Sequence, residues 1–164
     1  MIHFRTATAD DLPEILSIYE NARAFMRQSG NPNQWRSHHP AVEILHDDIS
    51  KGQLYLCMDQ EEIAAVFFYV QGIDPTYLQI FDGQWLNDAP YGVIHRIAVA
   101  HPGKGIADRC YDWALAQCPN LRIDTHRDNL PMQRSLQRHG FSRCGTIYLA
   151  NGEDRIAYHI ESVR

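Results

Sequence analysis

Residues 93–107 read V-I-H-R-I-A-V-A-H-P-G-K-G-I-A and run straight into D-R-C-Y-D-W-A-L-A. An apolar strand pattern meets a tight glycine turn and then an amphipathic helix pattern, a succession that few folds accommodate. Glycines let backbone N–H groups approach an anion, and the orphan N–H groups of a helix's first turn carry partial positive charge towards it. The stretch therefore predicts a strand–loop–helix unit that holds phosphate. Of two common phosphate loops, one is excluded and the other fits poorly. A P-loop needs Ser or Thr after Gly-Lys to hold magnesium, and Lys104 is followed by Gly105. A dinucleotide fingerprint needs a small residue at its third glycine position, where Asp108 stands.

Elsewhere the pattern alternates between helix and strand periods. Residues 2–8 predict a short strand, and Ala9-Asp10-Asp11-Leu12-Pro13 opens a helix whose apolar positions Leu12, Ile15, Leu16, Tyr19 and Ala22 recur until Gly30. The loop Asn31–Pro40 is polar and turn-rich but carries Trp35, which marks it as a working loop. A second helix is expected over Ala41–Ser50, then strands Leu54–Met58 and Ile63–Val70. Gln71–Gly92 is a long connection holding Tyr77, Phe81, Trp85 and Tyr91. It reads equally as a substrate lid or as a hairpin extension with its own aromatic cluster. After the central unit, Leu121–Thr125 is a strand, Asn129–His139 a helix, and Phe141–Leu149 with Arg155–Ile160 a hairpin about Asn151-Gly152. The order is β-α-α-β-β-β-α-β-α-β-β.

Composition removes other classes of function. A length of 164 residues suits one domain, and a net charge of −5 argues against a general nucleic-acid binder. The longest apolar run, Ile63 to Val70, is too short to cross a bilayer, and the N-terminus lacks a signal-peptide pattern, so a cytoplasmic chain is expected. Cys57, Cys110, Cys118 and Cys144 read as reduced core thiols, and the nine histidines show no H-x-x-x-H or H-E-x-x-H spacing, so no metal is expected.

With its neighbours, the central stretch resembles motif A of the GCN5-related N-acetyltransferases (the GNAT family): a strand ending in Ala-Val, a Gly-Lys-Gly-Ile-Ala loop, then a helix. Asn129 through Gly140-Phe141 is similar to that family's motif B, an Asn followed by a helix closing in x-Gly-Phe. The resemblance implies a mixed α/β acyl-CoA N-acyltransferase fold. In it a mostly antiparallel sheet, flanked by helices, splays between strands 4 and 5. It further implies acetyl-CoA as cosubstrate, held by the amides of Gly103, Lys104, Gly105, Ile106 and Ala107, by backbone groups of Ile97, Ala98 and Val99, and by Asn129. Pro102 stands where the family usually has Arg or Gln, and Leu136 stands at the family's Tyr, the proton donor to the departing thiolate.

For the chemistry, His95 is the best candidate general base: imidazole titrates near neutrality, and such assistance is typically worth ~10²–10⁴ in rate. The resemblance implies it, since the arylalkylamine acetyltransferases of that family place a His at the matching position; the residue alone reads equally as a buried His bonded to a neighbouring carbonyl. Strict alternation predicts that Val93, His95, Ile97 and Val99 share one face of their strand. For the proton to the departing thiolate, Tyr148 and His126 are possible substitutes for the absent Tyr, Tyr148 reading equally as a packing aromatic, and His126 ranks behind His95 as a catalytic residue. Trp35, Tyr77, Trp85 and Tyr91 are expected to line an acceptor pocket in which Glu20 or an Asp of residues 71–92 receives an ammonium. The Arg residues near motif B, among them Arg122, are expected mainly on a solvated face. The expected acceptor is a small-molecule amine or amino acid. Acetylation of a protein, and a non-catalytic CoA-binding module, are the alternatives. No nucleic-acid or membrane partner is expected, and homodimerisation is left open.

Overall fold

The computed structural model of the protein describes residues 1–36 and 38–162; Ser37, in the Asn31–Pro40 loop, lies outside them. The strands are β1 (Ile2–Thr6), β2 (Leu54–Asp59), β3 (Glu62–Gln71), β4 (Gly92–Val99), β5 (Asn120–Thr125), β6 (Ser142–Tyr148) and β7 (Asp154–Glu161). The helices are α1 (Leu12–Gln28), α2 (Val42–Ser50), α3 (Ile106–Gln117) and α4 (Leu130–His139). This is the order expected from periodicity. The strands form one sheet, β1-β2-β3-β4-β5-β7-β6, antiparallel except at β4–β5.

Two apolar layers sandwich the sheet. On one face Ile15, Ile18 and Tyr19 of α1 and Leu45 of α2 bury against Leu54, Leu56, Val66 and Ala98. On the other, Cys110, Tyr111 and Ala114 of α3 and Leu136 of α4 pack on Ala65, Phe67, Ile94 and Tyr158. Trp113 sits here too, with its ring centroid 4.7 Å from Tyr55 and 5.2 Å from Tyr69. The four cysteines are buried and free.

Two departures from regular pairing position the site. First, the parallel β4–β5 ladder pairs only Gly92 with Leu121 and Val93 with Arg122. Beyond Val93 the strands diverge, so the later backbone groups of β4 have no β5 partner, and a cleft opens at the carboxyl ends of both strands. Second, β4 bulges. Phe68 opposes His95 and Val66 opposes Ala98, so Arg96 and Ile97 together face one residue of β3. Arg96 takes φ +54, the left-handed conformation of a bulge residue.

The bulge corrects the alternation predicted for this strand. His95 and Arg96 both lie on the α1–α2 side: His95 stacks with Phe68, and Arg96 sits over the same ring and pairs with Asp48 of α2 at 2.6 Å. Ile97 and Val99 pack with the α3 layer. His95 therefore does not share a face with them, because one extra residue reverses the sense of every later side chain.

Candidate active site

The cleft holds two adjoining cavities. The first, about 430 Å³, runs along Ile97–Asp108 and is closed by Asn21, Phe25 and Met26 of α1 and by Pro131, Met132, Ser135 and Arg138 of α4. Its floor is the predicted glycine turn. Gly103 (φ +87) and Gly105 (φ +71) adopt conformations that L-residues resist, and nothing lies within 4 Å of where a Gly103 Cβ would stand. Gly105 is the N-cap of α3, so the first-turn amides of that helix open onto the groove. Leu136 is fully buried in the core rather than in this groove.

Asn129 lies at the junction and lines both cavities. Its Oδ1 accepts from the Met132 amide, capping α4, while its Nδ2 donates to Gln34 Oε1, tying that helix to the Trp35 loop. Met26, Ile97 and Met132 are also shared, so the groove and the second cavity are continuous.

The second cavity, about 500 Å³, is built from charged side chains. His95 projects into it between two carboxylates. Nε2 lies 2.6 Å from Asp74 Oδ2, and Nδ1 lies 3.9 Å from Asp124 Oδ2. Burial alone would raise the Asp74 carboxyl, but bonds from His95 and from the Thr76 hydroxyl and amide outweigh it and hold it at about 2. An ionised carboxylate can only accept, so in the neutral ring Nε2 carries the imidazole proton and Nδ1 presents its lone pair to Asp124. Asp124 is fixed in turn by the Tyr77 hydroxyl at 2.7 Å. Two acceptors thus face each other across a gap that a single N–H donor would bridge.

Of the four aromatics predicted to line this cavity, Trp35 does so, edge-on to Tyr19. Tyr77, Trp85 and Tyr91 stand behind its wall, in a cluster with Val93, Ile147 and Ala157. They act on the site through hydrogen bonds: Tyr77 holds Asp124, Tyr91 Oη accepts from the Asp74 amide at 3.0 Å, and Trp85 Nε1 donates to the Tyr77 carbonyl. Residues 71–92 are therefore a supporting wall rather than an aromatic lid. Phe81 bonds both ways to Thr146 of β6, and Arg122, expected on a solvated face, is buried between the Trp85 and Tyr91 rings.

Two other expectations move. His126 lines neither cavity. Its Nδ1 accepts from the Asp128 amide and its carbonyl from the Asn129 amide, so it shapes the turn into α4; burial, followed by the field of Arg155, lowers its pKa. Glu20 is solvent-exposed and is not in the cavity wall. The acidic groups that stand beside His95 are Asp74 and Asp124 instead, and neither belongs to a recognisable sequence motif. Asp-Pro before a short turn, and an Asp near the end of a strand beside the predicted split, are the only signals that could have found them. Among the described residues, no group of three His, Cys, Asp or Glu side chains could hold a metal ion.

This architecture recurs among solved structures. An acetyltransferase of the GNAT family from Streptococcus agalactiae aligns with a TM-score of 0.90 at 27% identity, over 99% of this chain and 96% of its own. The chain has the fold of the GCN5-related N-acetyltransferases and is similar to them along its whole length. More distant members share the fold. A GNAT-family acetyltransferase from Listeria monocytogenes aligns with a TM-score of 0.70 at 20% identity, over 98% of this chain and 94% of its own. NAA60 from Arabidopsis thaliana, solved with acetyl-CoA, aligns at 0.65 and 14% over 98% and 99%. No protein-family model and no curated protein matches the sequence.

Proposed function

We propose that the protein transfers an acetyl group directly from acetyl-CoA to the primary amine of a small molecule or amino acid. The observation that carries this reading is the junction of the two cavities: a groove floored by backbone amides opens, through Asn129 and Met132, onto the gap between His95 and Asp124.

The residues present fit the coenzyme. The split beyond Val93 leaves β4 backbone groups for the pantetheine arm, and Gly103–Ala107 with the α3 N-terminus suit the pyrophosphate. Lys104 adds a point charge in place of the family's Arg or Gln. Acetyl-CoA supplies a thioester, already activated for attack by nitrogen. The protein's part is to orient the amine and to take its protons. Asp124 receives the ammonium, and the His95 Nδ1 lone pair, on the other side of the same gap, accepts the proton lost as the amine becomes a nucleophile. Asp74 fixes the ring and stabilises the imidazolium, as the third member of a nucleophile–base–carboxylate arrangement does. As the N–C bond forms and the C–S bond breaks, sulfur leaves as thiolate. A thiol with an ordinary pKa near ~8.5 needs no strong acid to depart, which is compatible with Leu136 at the family's Tyr position.

Thiol release with an amine panel tests the reading, alongside a thermal shift with CoA. Ligand at 100 times its dissociation constant should add about 2.7 kcal/mol of stability. Stabilisation by CoA with no turnover of any small amine would overturn it in favour of a binding module or a protein acetyltransferase.

A further inference from the structure

The second cavity has a cationic end as well as an acidic one, and nothing in the chemistry above uses it. Arg155 lines it with only 4% of its surface exposed. A buried guanidinium is normally matched by a closely bonded carboxylate. Arg155 is not so matched. Nη1 makes one short bond, to the Asp154 carbonyl at 2.8 Å, while Nη2 lies 3.5 Å from the Gln34 carbonyl and 3.4 Å from Glu153 Oε2. Glu153 is itself shared with Arg36, so two guanidiniums divide one carboxylate. Burial, with the fields of Arg96 and Arg155, pushes His39 down to about 4, and His126 moves the same way. The Thr125 hydroxyl, on the same cavity wall, is buried without a hydrogen-bond partner among the described residues.

Strand register sets the spacing of the two ends. Asp124 pairs with Ala157 of β7, and Arg155 lies two residues along from Ala157 on the same sheet face. One strand across and two residues along is roughly 8 Å between Cα atoms. Across that distance stand the ammonium-accepting gap at His95 and Asp124 and an under-compensated guanidinium.

We propose that the acceptor is a zwitterionic amine, a free amino acid, whose carboxylate docks on Arg155 while its amino group enters the gap between His95 and Asp124. This rests on the acetyl-transfer reading and names its substrate class. Bidentate pairing with a carboxylate is the geometry guanidinium favours. A peptide N-terminus lacks the adjacent carboxylate and leaves Arg155 unmatched.

The test compares the free amino acids with their α-amides and with simple alkylamines, in the presence of acetyl-CoA, by thiol release. Wild type should acetylate at least one free amino acid with kcat/KM ~10²-fold or more above its amide, since a site built to bond a polar group strongly rejects the analogue lacking it. Arg155→Gln should bring the acid-to-amide ratio to within a few-fold of unity, chiefly through KM, with Arg155→Lys in between. The CoA-induced thermal shift of each variant reports that it folds. Amides or alkylamines used as well as acids by wild type, or a ratio unmoved by Arg155→Gln in a folded variant, would overturn the zwitterion proposal and leave acetyl transfer standing. Turnover of no small amine despite CoA binding would overturn both.

Discussion

The groove beside Gly103–Ala107 and the cavity around His95 share Met26, Ile97, Asn129 and Met132, yet they are made by opposite means. The groove works through backbone: two left-handed glycines, a helix N-terminus and a strand edge freed by the β4–β5 split. The cavity works through side chains, each held by another from elsewhere in the chain: Asp74 and His95 by one another, Asp124 by Tyr77, Arg96 by Asp48. Backbone sites tolerate substitution so long as conformation survives. Side-chain sites fail with the loss of one group. The two halves should therefore be separable by mutation.

The largest separation is expected on the cavity side. His95→Ala should lower kcat/KM by ~10²–10⁴ while leaving the CoA-induced thermal shift at its wild-type size. Asp124→Asn should fall in the same range, since it removes the charge that meets the ammonium but keeps the Tyr77 bond. If either variant lost CoA binding as severely as turnover, the division between groove and cavity would be wrong.

A smaller effect, in the opposite sense, is expected from Gly105→Ala. The nearest atom to a new Cβ there is Asp108 Oδ2 at 4.0 Å, so space is not the obstacle. Conformation is. An L-residue at φ +71 costs about 1–2 kcal/mol. If the loop keeps its shape, that cost appears as lost stability in denaturant unfolding. If the loop relaxes, it appears as weaker CoA binding, up to roughly tenfold. The acid-to-amide preference of the cavity should not change. Lys104→Ala should weaken CoA binding by less, a few-fold at low salt and little at high salt, as for an exposed charge.

The same division explains what could be read from the sequence. The groove was legible because its determinants are local: a strand pattern, glycines and a helix start are contiguous, and two such motifs at the right separation imply the sheet between them. Element order followed from periodicity for the same reason. The cavity was legible only at His95 and Trp35, residues unusual for where they stand. Asp74 and Asp124 are 50 residues apart in the chain and meet only through the folding of residues 71–92 against β5. Tyr77, Trp85 and Tyr91 looked like a pocket because aromatics in a loop suit either a binding wall or a mini-core, and only packing decides. The bulge left no mark in the alternating pattern, since Arg96 is an ordinary residue for a strand and its left-handed backbone is imposed by β3 and by Asp48.

The smallest predicted effect concerns how the supporting wall is fastened. His159 on β7 is fully buried under Trp85. Its Nδ1 accepts from the Leu86 amide at 3.2 Å, so Nε2 carries the proton and donates to Asn120 Oδ1 at 3.0 Å. That clamp exists only for the neutral ring, because a protonated Nδ1 would meet the Leu86 N–H donor to donor. Burial, with the nearby Arg122 guanidinium, pushes His159 down to about 4, whereas the unfolded chain titrates it near ~6.5. Between those values the unfolded state binds more protons, so stability is full above about 6.5 and declines as pH falls towards 4. His39, also pushed down to about 4, adds to the same slope. His159→Asn retains an acceptor for Leu86 but cannot titrate. Its melting temperature should be lower than wild type at pH 7.5 and should fall less steeply between pH 6.5 and 4.5, leaving the component due to His39 and His126. An unchanged slope would mean that the His159 clamp is not what ties residues 71–92 to the sheet, and that the wall behind the cavity is held by its other ties, the Arg122 stack, the Phe81–Thr146 bonds and the Tyr77–Asp124 bond.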